Sequence, residues 1–270
     1  PVPGLIHRYP DRVLVLATNT CAVHCRHCFR KARWPCSRTT QREGLTAGNV
    51  DGIVDYISKQ SGVREVLVSG GDPLLLPDTD IDVLLTALTT PPNVELVRIC
   101  TRIPVVLPQR ITPQLCQLLS QHKTVWLSTQ FNHPRECTTT AANACEKLVR
   151  AGMPLINQTV LLRGVNDNID TIRSLCTRLL PMRVKPYYLF HIDPAAGTYH
   201  FATSVDEDLE IMEKLLGNTT GIAVPRYSLE LPGGGGKHPL LPERNASHSM
   251  FSLKGRRNFE GKMHDLPDTG

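Results

Sequence analysis

Apolar-rich runs alternate along the chain with longer stretches in which apolar residues return every third or fourth position. The runs are Val13–Ala17, Val66–Ser69, Val94–Ile99, Val125–Ser128, Leu155–Leu162 and Val184–Phe190. Short apolar runs bounded by polar and turn residues read as buried strands. Residues 50–59, 81–88, 113–121, 141–151, 169–180 and 205–216 carry the helical spacing. Repeated strand–helix units with short connections predict an α/β fold with a parallel sheet covered on both faces. About six such units suit a partial (β/α)6 TIM-like barrel better than a closed eight-stranded one. Functional residues are then expected just after the strands, at their C-terminal ends. From Tyr227 the pattern weakens into a Gly- and Pro-rich segment and a basic tail. Residues 1–270 are expected to form one core domain, with 227–270 as its closing segment.

Composition changes this picture little. The 270 residues are 41% hydrophobic, ordinary for a globular protein with a sizeable core. The net charge is +5, and the basic residues are scattered apart from a short group at Arg256 and Arg257. Nucleic-acid binding is therefore not expected, and anionic small molecules are the more natural partners. No apolar run is long enough to span a membrane, and no signal-peptide pattern is present. The chain opens on Pro1-Val2-Pro3 rather than Met, as a segment of a longer protein would. Nine cysteines with one tight cluster speak for reduced thiols and a cytoplasmic setting rather than a disulfide framework.

That cluster is the most informative motif. Cys21-Ala-Val-His-Cys25-Arg-His-Cys28 places three thiols on one short loop after the first predicted strand. Three thiolates can hold three irons of a [4Fe–4S] cubane and leave the fourth open to a small molecule. A zinc site normally adds a second, distant cysteine pair, and none is visible. Cys36 stands nearby, and as a fourth ligand it would close the cluster and favour electron transfer over catalysis. The C-x3-C-x2-C spacing resembles that of the radical S-adenosylmethionine enzymes.

The second motif is Pro232-Gly233-Gly234-Gly235-Gly236-Lys237. On its own it reads as a linker, or as a close-approach loop whose lysine offers an amine to an aldehyde cofactor such as pyridoxal phosphate. It is no Walker loop, since His238 follows the lysine instead of Ser or Thr.

Several blocks taken together resemble the lysine 2,3-aminomutase family. They are His7–Val13, the cysteine loop, Ser69–Asp72, Pro104–Arg110, Phe131–Pro134, Asn157-Gln158, Val160–Asn166, Pro186–Tyr188, the tetraglycine lysine and Asn258–Gly261. The resemblance covers nearly the whole chain. It implies a partial barrel of the radical SAM type that uses a [4Fe–4S] cluster, S-adenosyl-L-methionine and pyridoxal 5'-phosphate for a radical 1,2-amino shift. Residue by residue it implies Cys21, Cys25 and Cys28 as cluster ligands and Lys237 as the lysine that anchors pyridoxal phosphate. Arg8 and Arg12 then face its phosphate. Ser69, Gly70, Gly71, Asp72 and Gln158 are implied at S-adenosylmethionine, with Gln130 where the family often carries histidine. Arg30 is implied at the substrate carboxylate, and Asp193 and Glu230 at a distal ammonium. Glu230 replaces an aspartate, Phe190 replaces a tyrosine, and Asn168 stands where a zinc ligand would lie, so no zinc is expected. Two carboxylates in one pocket favour a cationic amino acid. The expected reaction is conversion of L-lysine to β-lysine. The same shift on ornithine or arginine, or a non-catalytic cluster protein, stands as the alternative. An electron donor such as flavodoxin or ferredoxin and a possible homo-oligomer complete the expected partners.

Overall fold

Strands whose outward residues are apolar and whose inward residues are partly polar build this molecule around a polar centre. The computed structural model describes residues 1–32, 45, 47–231, 236–240, 256–257 and 263–264. One sheet holds nine strands in sequence order: β1 Leu5–Tyr9, β2 Arg12–Thr18, β3 Glu65–Gly70, β4 Leu96–Cys100, β5 Val125–Thr129, β6 Leu155–Val160, β7 Val184–Phe190, β8 Arg226–Leu231 and β9 Gly236–Pro239. From β2 to β8 every neighbouring pair is parallel. The first and last strands fold back antiparallel on β2 and β8. The six expected strands are present as β2 to β7, and β1, β8 and β9 extend the sheet at its two ends. A separate two-residue ladder pairs β10 Arg256–Arg257 with β11 Met263–His264.

The connections supply the outer layer: α1 Ala47–Ser58, α2 Asp78–Leu88, the single turn α3 Ile103–Val106, α4 Pro113–Ser120, α5 Thr139–Arg150, α6 Ile169–Leu179 and α7 Val205–Leu215. Their sequences explain their faces. In α5 the buried residues are Ala141, Ala144, Cys145 and Leu148, and in α6 they are Ile172, Leu175, Cys176 and Leu179. Both sets follow the i, i+3, i+4, i+7 stripe of a helix lying on a sheet. Side-chain caps fix the starts: Thr112, Thr138, Asn168 and Ser204 each accept a backbone N–H of the first turn. Asn168 thus serves as the cap of α6. The core lies between sheet and helices. Val13, Val15, Val66, Val68, Val97, Ile99, Val125 and Leu127 point outward into it from successive strands. Residues of opposite parity face the barrel's centre, and there the candidate site lies.

Candidate active site

The cysteine loop leaves the C-terminal end of β2 and crosses the mouth of the barrel. Cys25 and Cys28 are half-buried and Cys21 is exposed, all three as free thiols. The Cys21 thiol is pushed up to about 11, by burial first and then by Asp72 and the other two cysteines. As thiolates the three would repel one another, and an iron–sulfur core supplies the positive charge that offsets this. Arg102, directly after β4, points Nη1 at Cys25 Sγ, 2.8 Å away, and Nη2 at Glu136 Oε1, 2.7 Å away. Among the described residues no three Cys, His, Asp or Glu side chains converge as ligands of a single metal ion. A polynuclear cluster takes its thiolates at separate irons, so this donor set fits a [4Fe–4S] group. Cys36 lies outside the described residues.

Ser69-Gly70-Gly71-Asp72 spans the end of β3 and clamps the root of this loop. Gly70 has φ +115°, and a Cβ on it would collide with the Thr18 carbonyl; one on Gly71 would collide with the Thr20 carbonyl. The Gly71 and Asp72 amides already donate to Thr18 O, at 2.5 Å, and Thr20 O, at 2.7 Å. The Asp72 carboxylate is buried and fully engaged. It accepts Leu74 N at 3.2 Å, Thr101 Oγ1 at 2.7 Å and Arg102 N at 2.7 Å. The glycines therefore serve close approach of two backbones, and Asp72 braces the loop that carries Arg102. Ser69 Oγ and Gly70 O accept from Arg30 Nη1 at 3.0 and 3.3 Å, which ties Arg30 to the same corner. Gln130, directly after β5, and Gln158, within β6, are half-buried.

Lys237 lies on β9 with its amine over the aromatic wall of β7. Nζ is 4.5 Å from the Phe190 ring centre and 5.2 Å from that of Tyr188, and the two rings stack at 4.9 Å. Lys237 is solvent-accessible as a residue, while its amine is enclosed by neighbouring protein groups. Burial, and next Arg98, push its amine below the ordinary lysine value, against Glu230, Tyr188 and Cys100. A lowered lysine spends more time as the neutral nucleophile. Asp193, three residues past β7, is pushed up to about 6 by burial first and by Glu230 next, with Lys237, His191 and Arg30 pulling it down. Glu230 forms an ion pair with Arg8. Arg12, at the far end of β2 from the cysteine loop, lies 4.1 Å over the Tyr9 ring. The Tyr9 hydroxyl in turn accepts the Lys237 backbone N–H at 2.7 Å. An amine with an aromatic wall and two arginines at the adjoining sheet end fits an aldehyde cofactor bearing a phosphate. Of the tetraglycine, only Gly236 is among the described residues.

Other motifs form a frame. Asn157, fully buried, receives Phe131 N at 2.7 Å and gives Nδ2 to Phe131 O at 3.1 Å. Asn166 donates to Asn132 O at 2.7 Å and Val160 O at 2.9 Å, so the exits of β5 and β6 are tied together. Sequence reasoning missed Arg98, Arg102, Glu136 and the trio of half-buried His191 with buried Asp208 and Tyr227. Asp208 Oδ2 accepts from Tyr227 at 2.8 Å and lies 2.7 Å from His191 Nδ1. Arg98 left one signal, a charge at an inward position of the otherwise apolar Leu96–Cys100.

Comparison with known proteins adds a relationship to this geometry. Residues 15–176 match the model of the radical SAM superfamily, and residues 212–269 match that of lysine-2,3-aminomutase. The chain is 48% identical over 261 residues to L-lysine 2,3-aminomutase of Fusobacterium nucleatum, covering 97% of this chain and 60% of the relative. It is 42% identical to glutamate 2,3-aminomutase of Clostridioides difficile, covering 99% and 62%. The chain thus spans about 60% of the length of these curated relatives. Among solved structures, Streptococcus suis SuiB bound to S-adenosylmethionine aligns with a TM-score of 0.59 at 13% identity, over 83% of this chain and 51% of that one. That likeness supports the partial-barrel architecture.

Proposed function

The chain belongs to the radical SAM superfamily and, within it, to the lysine 2,3-aminomutase family, and on that premise we propose that it moves the α-amino group of L-lysine to the β-carbon. The observation that carries this reading is the depressed amine of Lys237 in one chamber with Asp193 and Glu230, below a three-cysteine loop. When bound, the iron–sulfur cluster and S-adenosylmethionine supply the radical, and pyridoxal phosphate supplies the carbonyl that carries the migrating nitrogen. The protein's own part is to position and charge the chamber. Cys21, Cys25 and Cys28 hold the cluster, and Ser69, Gly70, Gly71, Asp72, Gln130 and Gln158 form the S-adenosylmethionine wall. In that wall Asp72 works through the backbone it braces. Lys237 would anchor pyridoxal phosphate, with the Tyr188 and Phe190 rings beside the amine and Arg8 and Arg12 available for the phosphate. Arg30 takes the substrate carboxylate.

Asp193 and Glu230 select for a positive side chain. Glu230 adds to the proton affinity of buried Asp193, so an ammonium between the two carboxylates would be favoured and a substrate carboxylate there repelled. That argues for lysine over glutamate. Glu230 is one methylene longer than aspartate and is shared with Arg8, so ornithine and arginine are the competitors to test.

The test is anaerobic reconstitution with iron, sulfide and pyridoxal phosphate, then incubation with S-adenosylmethionine, dithionite and each amino acid. Mass spectrometry is expected to find β-lysine from lysine, lost in Cys25→Ala and Lys237→Ala. Reductive cleavage of S-adenosylmethionine with product from ornithine or arginine only would move the substrate assignment. An intact cluster without any cleavage would leave an electron-transfer or binding role.

A further inference from the structure

We propose that Arg102 is a positioning residue for the iron–sulfur site, fixed by Asp72 and Glu136 so that its guanidinium donates to Cys25 Sγ and raises the potential at which the bound cluster accepts an electron. This rests on reading the cysteine loop as the cluster's ligand set. Three observations carry it. Nη1 is 2.8 Å from Cys25 Sγ. Nη2 is 2.7 Å from Glu136 Oε1, and Glu136 is itself held, since its Oε2 accepts the Asn132 amide at 2.5 Å and the His133 amide at 3.1 Å. The Arg102 backbone is pinned by Asp72 Oδ2 at 2.7 Å, from the exit of a different strand. The remaining guanidinium nitrogen, Nε, is buried without a hydrogen-bond partner. The orientation of the group is therefore set by its backbone and its two terminal nitrogens, and one of these is committed to a ligating sulfur.

The physical consequence follows from charge. One-electron reduction, here by dithionite as the external reductant, adds one negative charge to the cluster and its thiolates. An N–H donated to a ligand sulfur and a cation beside it both favour that more negative state, and cluster potentials follow such contacts. Arg102 touches no reacting atom, so its effect is on how readily the cluster is reduced.

The experiment is a potentiometric titration of the anaerobically reconstituted full chain, following the reduced cluster by EPR, with iron counted per chain. In Arg102→Met we expect retained iron and a lower midpoint, with one-electron reduction at least tenfold less favourable, which is about 59 mV. Arg102→Lys should recover part of the shift, and Glu136→Gln should give a smaller one in the same direction. A fully loaded Arg102→Met protein with an unchanged midpoint overturns the inference. If Arg102→Met holds no iron, the other two variants decide: a lowered midpoint in either supports it, and midpoints unchanged or raised in both overturn it. A wild-type chain that takes up no cluster overturns the reading of the cysteine loop itself, and this inference with it.

Discussion

Asp193 has to carry its charge where burial disfavours it, and the nearby Glu230 adds to the cost. The sign of the effect is fixed by the direction of the shift. The unfolded aspartate releases its proton near pH 4, whereas the folded one holds it to about 6. Over that window the folded state binds more protons, so stability falls as pH rises and the loss is complete above about 6. Asp193→Asn is therefore expected to stabilise the cofactor-free protein by about 1–2 kcal/mol at pH 7, a figure discounted for partial exposure, and to leave it unchanged at pH 4. Urea denaturation at the two pH values checks this. The ionised form is also the one that attracts a cationic side chain, so lysine should bind more tightly as pH rises from 5 to 7. Calorimetric titration of the loaded protein would show the trend, and Asp193→Asn should flatten it.

At the level of elements, the turn after β3 and the loop after β2 share one packing problem, which Gly71 solves. Gly71→Ala places a methyl against the Thr20 backbone, next to Cys21. It is expected to cost about 1–3 kcal/mol and to lower iron uptake, as thermal melts and iron analysis would show. Asn157→Ala should cost more, about 2–4 kcal/mol, because it leaves the buried Phe131 N–H without its acceptor and removes further buried hydrogen bonds to Phe131 O and Thr129 Oγ1, which keep Thr159 and Ile156 as partners. Much of this architecture was legible in the sequence. Strands β2 to β7 and the six long helices announced themselves because their apolar faces fill the clusters packed between sheet and helices. The end strands did not, for a physical reason. In β8, Tyr227, Leu229 and Leu231 are buried outward while Ser228 and Glu230 turn inward, so polar interior residues break the run. Strand β1 reads Leu-Ile-His-Arg-Tyr and is half-exposed along most of its length. The cysteine loop and Lys237 could be found because their residue types are rare in those patterns. The role of Asp72 could not, since its partners Thr101 and Arg102 lie 29 and 30 residues away along the chain.

For the molecule as a whole, the described strands form an open sheet whose two ends meet through side chains. Arg8 reaches Glu230, and Tyr9 reaches the Lys237 amide. Tyr9→Phe removes one of these contacts with little change of shape. It is expected to destabilise the fold by about 1 kcal/mol and to speed hydrogen exchange at the Lys237 amide, which deuterium labelling with mass spectrometry would resolve. These partners are separated by 222 and 228 residues. During synthesis on the ribosome the amino-terminal hairpin therefore waits for nearly every later strand before it meets its partners. A chain halted before β8 carries the three thiols of the loop but neither Glu230 nor Lys237, so the enclosing wall and its amine join the sheet together and last.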